Sequence, residues 1–86
     1  MHFVRSVRWL SEYRLLLGFE DGSLKRVDLE PHLDGPIFEP LKDIRYFRTV
    51  RLNPDIQTIV WDNDADFSPD FLYEIGVEVP APARSR

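Results

Sequence analysis

The dipeptide Asp21-Gly22 constrains this chain more than any other feature of its sequence, because it separates two short runs of strand-forming residues. Residues 13–19 form an apolar run, and residues 24–29 alternate between apolar and charged side chains. Glycine takes a positive φ angle without the steric cost of a Cβ atom, which makes Asp-Gly a strong hairpin signal. The sequence therefore predicts two antiparallel strands joined at this turn.

Two registers are compatible with this hairpin. A two-residue loop pairs Leu15 with Asp28, which sets an apolar side chain against a charged one. A three-residue loop with a glycine bulge pairs Leu15 with Val27 and Arg14 with Asp28 instead. Each matched cross-strand pair contributes roughly 0.2–1 kcal/mol, so we expect the bulged turn. We expect the residues at the tip of the hairpin to form a plain turn, where their chemistry is needed for the turn geometry alone; the alternative is a binding loop.

The length of 86 residues suffices for one domain with one modest hydrophobic core. Hydrophobic residues make up 43% of the chain and charged residues 30%, as in ordinary globular proteins. We expect a single α+β domain over residues 1–79. Proline and alanine dominate residues 80–86, which we expect to form a disordered tail.

Composition also excludes several classes of function. The chain has no cysteine, which removes disulfides, thiolate metal ligands and a cysteine nucleophile. Its net charge of −4 provides no general attraction to nucleic acid or to anionic lipid. No apolar run approaches the ~20 residues of a membrane span, and the first residues lack a signal-peptide pattern. We therefore expect a cytoplasmic protein without a membrane role.

The remaining strand signals complete a small antiparallel sheet. Residues 3–10 carry β-branched and aromatic side chains and predict a first strand, so that three strands form a meander. The alternation slips near Val7, which predicts a bulge there. Residues 49–52 and 58–61 predict a second hairpin, and residues 77–79 predict a short edge strand.

Two short helices are predicted to pack on this sheet. The first covers residues 40–47, with an apolar stripe at a spacing of three residues. The members of this stripe are Leu41, Ile44 and Phe47. The second covers residues 69–75, where Ser68 is suited to the N-cap and Gly76 to the stop. The fold class is therefore α+β.

An acidic cluster is the first candidate for chemistry. Its members are Asp62, Asp64, Asp66 and Asp70. Their spacing is similar to that of the first ligands of a calcium loop. That loop also needs glycine at its sixth position and glutamate at its twelfth, where this chain has Phe67 and Tyr73. We therefore expect a polar turn followed by a helix N-terminus, with no metal, cofactor or catalytic residue.

A basic patch is the second candidate. Arg45, Arg48 and Arg51 recur every three residues, interleaved with aromatic side chains. Since the total charge is acidic, we expect a solvated surface more than a nucleic-acid contact. The histidines, His2 and His32, are far apart in sequence and predict no pair of metal ligands. The candidate partner-binding residues are Arg45, Arg48, Arg51, Asp62, Asp64 and Asp66.

Several segments in this order and spacing carry a resemblance to a known family. They are YRLLLGFEDG (13–22), VDL (27–29), FEPLKD (38–43), FRTV (47–50), TIVWDN (58–63) and DFSPDFLY (66–73). Together they resemble an uncharacterised bacterial family catalogued as domain of unknown function 2442. The family usually has glycine after the asparagine of the fifth segment, where this chain has Asp64.

The resemblance implies a small α+β domain without catalytic residues. Some members of that family are joined to a helix-turn-helix domain or encoded beside a small protein, similar to a toxin–antitoxin pair. We therefore expect a non-enzymatic protein-interaction domain, the antitoxin-like half of such a pair, that neutralises a small basic partner. Contacts are expected from the tail, an open sheet edge or the surface of residues 62–70. The alternatives are a nucleic-acid-associated transcriptional regulator and, after it, a small metal-dependent enzyme; a homodimer is also compatible with the small core.

Overall fold

The computed structural model describes residues 1–80, which form two antiparallel sheets and a few short helices. The strands are β1 (Val4–Ser11), β2 (Arg14–Phe19), β3 (Leu24–Asp28), β4 (Arg51–Asn53), β5 (Thr58–Val60) and β6 (Val77–Glu78). The helices are two 3-10 helices (Glu30–His32 and Pro36–Lys42), α1 (Ile44–Phe47) and α2 (Pro69–Ile75). The first sheet has the order β1-β2-β3-β6, and β4 pairs with β5 in the second. The predicted α+β class is confirmed, and the predicted disorder of the tail lies outside the described residues from position 81 onward.

The register of the first hairpin is the bulged one. Leu15 lies opposite Val27, and Arg14 lies opposite Asp28. Gly22 has a φ angle of +85°, the left-handed conformation that the predicted glycine bulge requires. None of the helices in the described range is long and apolar enough to cross a membrane.

β1 contains two bulges, whose extra residues are Arg5 and Leu10. The bulge predicted near Val7 is present two residues before it, at Arg5, and the bulge at Leu10 was not predicted. One extra residue reverses the alternation of the side chains, which brings Val4 to the core side, where it is 1% exposed. A change of phase in the sequence pattern shows that a bulge exists but does not show which residue is extra.

The second hairpin contacts β1 and contributes to the core. The two predicted runs pair as an antiparallel hairpin, with Leu52 opposite Ile59. Four apolar side chains of this hairpin region are buried or pack against the core: Val50, Leu52, Ile59 and Trp61. The indole N–H of Trp61 donates to the carbonyl oxygen of Phe47 at 2.8 Å, so this buried polar group is satisfied.

The prediction of one continuous helix over residues 40–47 is wrong. A 3-10 helix ends just before Asp43, whose backbone is extended with φ −80° and ψ 116°, and α1 begins after it. The side chain of Asp43 accepts the backbone N–H two residues further on, a local bond that competes with a continuous helix. Leu41 and Phe47 are fully buried, but Ile44 is 37% exposed and does not belong to the predicted stripe.

α2 begins and ends where the sequence predicted. The side chain of Ser68 accepts the backbone N–H of Phe71, which confirms the N-cap. Gly76 follows the last residue, but its φ of −70° is open to any residue. Glycine is needed there for space, because a Cβ atom would lie 2.8 Å from Cβ of Lys25 on β3. This close approach lets β6 pair with β3.

Candidate functional site

The predicted acidic cluster is spread over the exposed turn that follows β5 and the first turn of α2, where Asp70 lies. Asp62 forms an ion pair with Arg51, while the backbone of Asp66 pairs with the end of β5. Asp64 has a φ of +69°, so this chain adopts at that position the left-handed conformation that glycine favours. Among the described residues, these carboxylates do not form a group of three that could hold one cation.

The three predicted arginines have separate partners. The guanidinium of Arg45 lies 3.7 Å from the Asp43 carboxylate, and that of Arg48 lies 4.7 Å from the centre of the Trp9 ring. Arg51 pairs with the first aspartate of the acidic cluster, so the structure joins one member of each predicted set. The two ion pairs offset the charges of Arg45 and Arg51, whereas Arg48 keeps its charge on the neutral Trp9 ring, so the patch has less free positive charge to meet a phosphate backbone.

A polar cluster that the sequence did not predict lies at the tip of the first hairpin. We call it the hairpin-tip cluster, and its members are His2, Glu20, Asp21 and Tyr73. Nδ1 of His2 lies 3.0 Å from a carboxylate oxygen of Glu20, and the Tyr73 hydroxyl donates to Asp21 at 2.7 Å. The imidazole stacks on the Tyr73 ring, with 3.5 Å between centroids and 5° between planes. No periodic signal links these positions, because they come from the start of the chain, a turn and α2.

Hydrogen bonding sets the charge of this cluster. The backbone N–H of Phe3 donates to Glu20 and lowers the pKa of that carboxyl. The pKa of Asp21 is lowered chiefly by the Ser23 hydroxyl and then by the Tyr73 hydroxyl, and the same bond to Asp21 raises the pKa of Tyr73. At neutral pH the carboxyls are therefore ionised and the phenol is protonated. An ionised carboxyl has no proton to give as a general acid, and a protonated phenol is not the tyrosinate that a nucleophile requires.

The donor atoms of His2, Glu20 and Asp21 lie within 4.8 Å of one another, which is the spacing of a metal site. The four carboxylate oxygens, however, already accept hydrogen bonds from Phe3, His2, Ser23 and Tyr73. A cation that takes Nδ1 of His2 as a ligand would have to displace the bond between His2 and Glu20. The cluster fastens the start of the chain to the hairpin and to α2, since Asp70 also accepts the His2 N–H at 2.6 Å.

A shallow pocket lies beside the first 3-10 helix. It measures about 280 Å³ and is lined by Tyr13, Glu30, Leu33, Asp34 and Lys42. Sites for small organic ligands usually measure ~300–1,000 Å³ and are mainly apolar, whereas these walls are mainly polar. The Tyr13 hydroxyl donates to the Lys42 carbonyl across the pocket. This pocket is therefore a weaker candidate than the sheet surface described next.

The two faces of the four-stranded sheet differ. On the inner face, Leu15, Leu17 and Val27 are fully buried. On the outer face, cross-strand pairing places one row of side chains across all four strands: Arg8, Leu16, Arg26 and Val77. Arg14 and Leu24 lie on the same side in the neighbouring rows. We call this surface the open face and define it by Arg8, Arg14, Leu16, Leu24, Arg26 and Val77.

The open face carries positive charge although the whole chain is acidic. Of its three arginines, Arg14 is offset by Asp28, with the ion-pair atoms 3.8 Å apart. Arg8 and Arg26 are exposed, and Val77 is 57% exposed. Leu16 and Leu24 are half-buried but do not pack against the core. An apolar strip bordered by arginines therefore faces solvent.

The fold and its surfaces define a small α+β domain whose best candidate site is a sheet face. The chain belongs to the family described as "Protein of unknown function (DUF2442)", whose family model matches residues 4–78. The resemblance inferred from the sequence segments is thereby confirmed. No curated protein and no solved structure matches the chain.

Proposed function

We propose that this protein is a non-enzymatic protein-interaction domain that holds a partner protein on the open face of its four-stranded sheet. The observation that carries the proposal is the row of Arg8, Leu16, Arg26 and Val77 across that face. Arginine is enriched in protein interfaces, and an apolar centre that excludes water carries most of the binding energy. The open face has both features.

The apolar part of this face has no partner within the described chain. Leu16 and Leu24 point away from the core, where Leu15 and Leu17 are fully buried. Covering Val77 as well would remove apolar surface from water, which contributes about 25 cal/mol per Å² before the costs of association. A partner that meets the arginines with acidic groups gains specificity in addition.

The hairpin-tip cluster supports a role without catalysis. Its ionised carboxyls accept hydrogen bonds that hold the fold together, so they are not poised to exchange protons with a substrate. The shallow pocket also lacks the mainly apolar walls of a small-molecule site. Binding is therefore the function that the described surfaces support best.

The proposed partner is another small protein. The antitoxin-like role expected from the family resemblance is a specific form of this proposal, and the cytoplasm is its proposed setting. The sequence led us to expect a basic partner, because the net charge is negative. The local charge of the open face favours a partner that presents acidic side chains there, since charges act over a Debye length of ~8–10 Å.

Co-expression with the product of the neighbouring gene tests the proposal. The tagged full chain is expected to co-purify with that product, and Val77→Glu is expected to abolish the complex. Ile56→Glu is the matched control, because Ile56 is a similarly exposed apolar side chain (47%) in the turn between β4 and β5. Circular dichroism and thermal unfolding check that both variants remain folded.

The proposal holds if the Val77 variant loses the partner and the Ile56 variant keeps it. Equal retention by both variants would show that the open face is not the contact surface. A wild-type chain that binds neither the neighbouring product nor any protein in a lysate of its source would also contradict the proposal.

A further inference from the structure

We infer that the free edge of β1 takes an extended acidic segment of a partner protein, which joins the sheet as a fifth strand. This inference rests on the proposed function, because it names the chemistry and the binding mode of the partner. It uses a part of the sheet that borders the open face, namely the outer backbone edge of β1.

β1 offers the longer of the two sheet edges. Its only neighbour in the sheet is β2, whereas β6 at the other edge has two residues. Beyond β2, the backbone of β1 bonds at its start, where the Val4 N–H donates to Gln57 at 2.9 Å. Both strands of the second hairpin also contact β1, without pairing with it. From Ser6 to Ser11 no strand of the described part forms a ladder with this edge. At ~3.3 Å per residue, this length accommodates a strand of typical size.

The charges of β1 select an acidic strand. Its exposed side chains include Arg5 and Arg8, and it contains no acidic residue. Two copies of β1 paired edge to edge would bring four arginines onto one ladder, and like charges on neighbouring strands are destabilising. A glutamate or aspartate beside Arg8 would have the opposite effect. A second copy of this chain is therefore the disfavoured occupant.

The two sides of an added strand would meet different chemistry. On the side of the open face, its residues would lie beside Arg8, with Arg26 two strands further away. On the other side, they would lie beside Val7 and Trp9, which are half-buried. The matching segment therefore alternates between acidic and apolar residues.

The open face is less suited to a nucleic acid strand. Proteins that bind single strands stack bases on exposed aromatic side chains, each worth ~1–3 kcal/mol. The rows of the open face contain arginine, leucine, valine, serine, glycine and aspartate but no aromatic residue. The one tryptophan of β1, Trp9, lies on the other side under Arg48. Protein backbone and carboxylates match this surface better.

Synthetic peptides test the inference, because they carry only the chemistry that the edge of β1 is expected to select. The probe is a blocked hexapeptide of alternating glutamate and valine, and its counterpart replaces each glutamate with lysine. NMR titration of the full chain is expected to show binding of the acidic peptide, with slower hydrogen exchange at outer amides between Ser6 and Leu10. Binding is expected to weaken with added salt, and the lysine peptide is expected not to bind.

Backbone methylation separates strand addition from simple charge attraction. Two versions of the acidic peptide carry N-methyl groups either on the valines or on the glutamates. Only one set of amides faces β1 in a paired strand, so one version is expected to lose binding and the other to keep it. Equal binding by both versions would overturn the inference.

Charge reversal in the protein provides the second arm. Arg8→Glu is expected to lower the affinity for the acidic peptide by roughly tenfold or more and to allow the lysine peptide to bind. Lys42→Glu makes the same change of charge at the end of the 3-10 helix Pro36–Lys42 and is expected to have no effect, because Lys42 belongs to neither β1 nor the open face. Equal loss in both variants, or oligothymidylate binding at the same amides, would overturn the inference.

The two proposals fail separately. If the acidic peptide does not bind but Val77→Glu disrupts the co-purified complex, the edge inference is wrong and the proposed function stands. If the peptide binds at β1 while the complex is insensitive to Val77→Glu, the proposed contact surface is wrong and the edge inference stands.

Discussion

Replacing Gly76 with alanine tests how closely the end of α2 approaches the sheet. Its φ of −70° and ψ of 148° suit any residue, so backbone strain does not require glycine. A Cβ atom would lie 2.8 Å and 3.0 Å from Cβ and Cδ of Lys25, and 3.1 Å from the carbonyl oxygen of Leu72. These distances are shorter than the ~3.5–4.0 Å at which carbon atoms pack. The new methyl group must therefore push its surroundings apart.

The size of the effect follows from which atoms can move. Cδ of Lys25 can rotate away, but its Cβ is fixed by β3 and the Leu72 carbonyl is fixed by α2. Overpacking of this kind costs ~1–3 kcal/mol, while the loss of chain entropy in the unfolded state returns about 0.4–1 kcal/mol. We expect the free energy of unfolding to fall by about 1–2 kcal/mol. For a domain of this size, that lowers Tm by about 4–16 °C.

Urea unfolding followed by tryptophan fluorescence measures this change. Gly18→Ala is the control, because the Cβ atom there would meet Oγ of Ser6 at 2.5 Å, a terminal atom that can rotate away. We expect the control to change stability by less than about 0.5 kcal/mol. A Gly76→Ala protein as stable as the wild type, or a control that is the more destabilised of the two, would refute the packing explanation.

Three further predictions concern charge, core and metal. Because the pKa values of Glu20 and Asp21 are lowered in the folded state, the stability that these carboxylates contribute is present above their ordinary pKa values of 4.5 and 3.8 and is lost as the pH falls below them. Asp21→Asn should make the free energy of unfolding, measured by urea titration at a series of pH values, fall less steeply at acid pH. The same fall in the variant and the wild type would contradict this prediction. Trp61→Phe leaves a gap and removes one of the two hydrogen bonds to the Phe47 carbonyl, which the Val50 N–H still donates to at 3.2 Å; the free energy of unfolding should fall by about 1–3 kcal/mol, and a loss below about 1 kcal/mol would count against the buried indole hydrogen bond. Saturating zinc or calcium should leave Tm unchanged, because a cation bound by Nδ1 of His2 must first break the bond from His2 to Glu20; a clear rise in Tm would show that a cation does so.

Local interactions made the first hairpin and α2 predictable. The turn glycine, the opposed charges of Arg14 and Asp28, and the Ser68 cap each act between residues close in sequence. The helix over residues 40–47 was predicted wrongly because a spacing of three residues suits a 3-10 helix as well as an α-helix. Asp43 then divides the segment by bonding to its own neighbouring backbone.

The candidate sites depended on contacts between distant segments. Arg51 and Asp62 were singled out separately, and only the fold joins them as an ion pair. The hairpin-tip cluster was missed, since His2 and Tyr73 come from opposite ends of the described chain. The open face became visible when cross-strand pairing aligned residues that are far apart in sequence.

The sequence by itself determined the α+β class, the register of the Asp21-Gly22 hairpin, the cap of α2 and the absence of any cysteine chemistry. These features follow from turn conformation, side-chain alternation and composition, which are local properties of a chain. Tertiary structure alone decided which polar residues meet and which sheet face stays exposed. The physical reason is that packing α2 and the second hairpin on one side of the sheet buries that side and leaves the basic side to solvent.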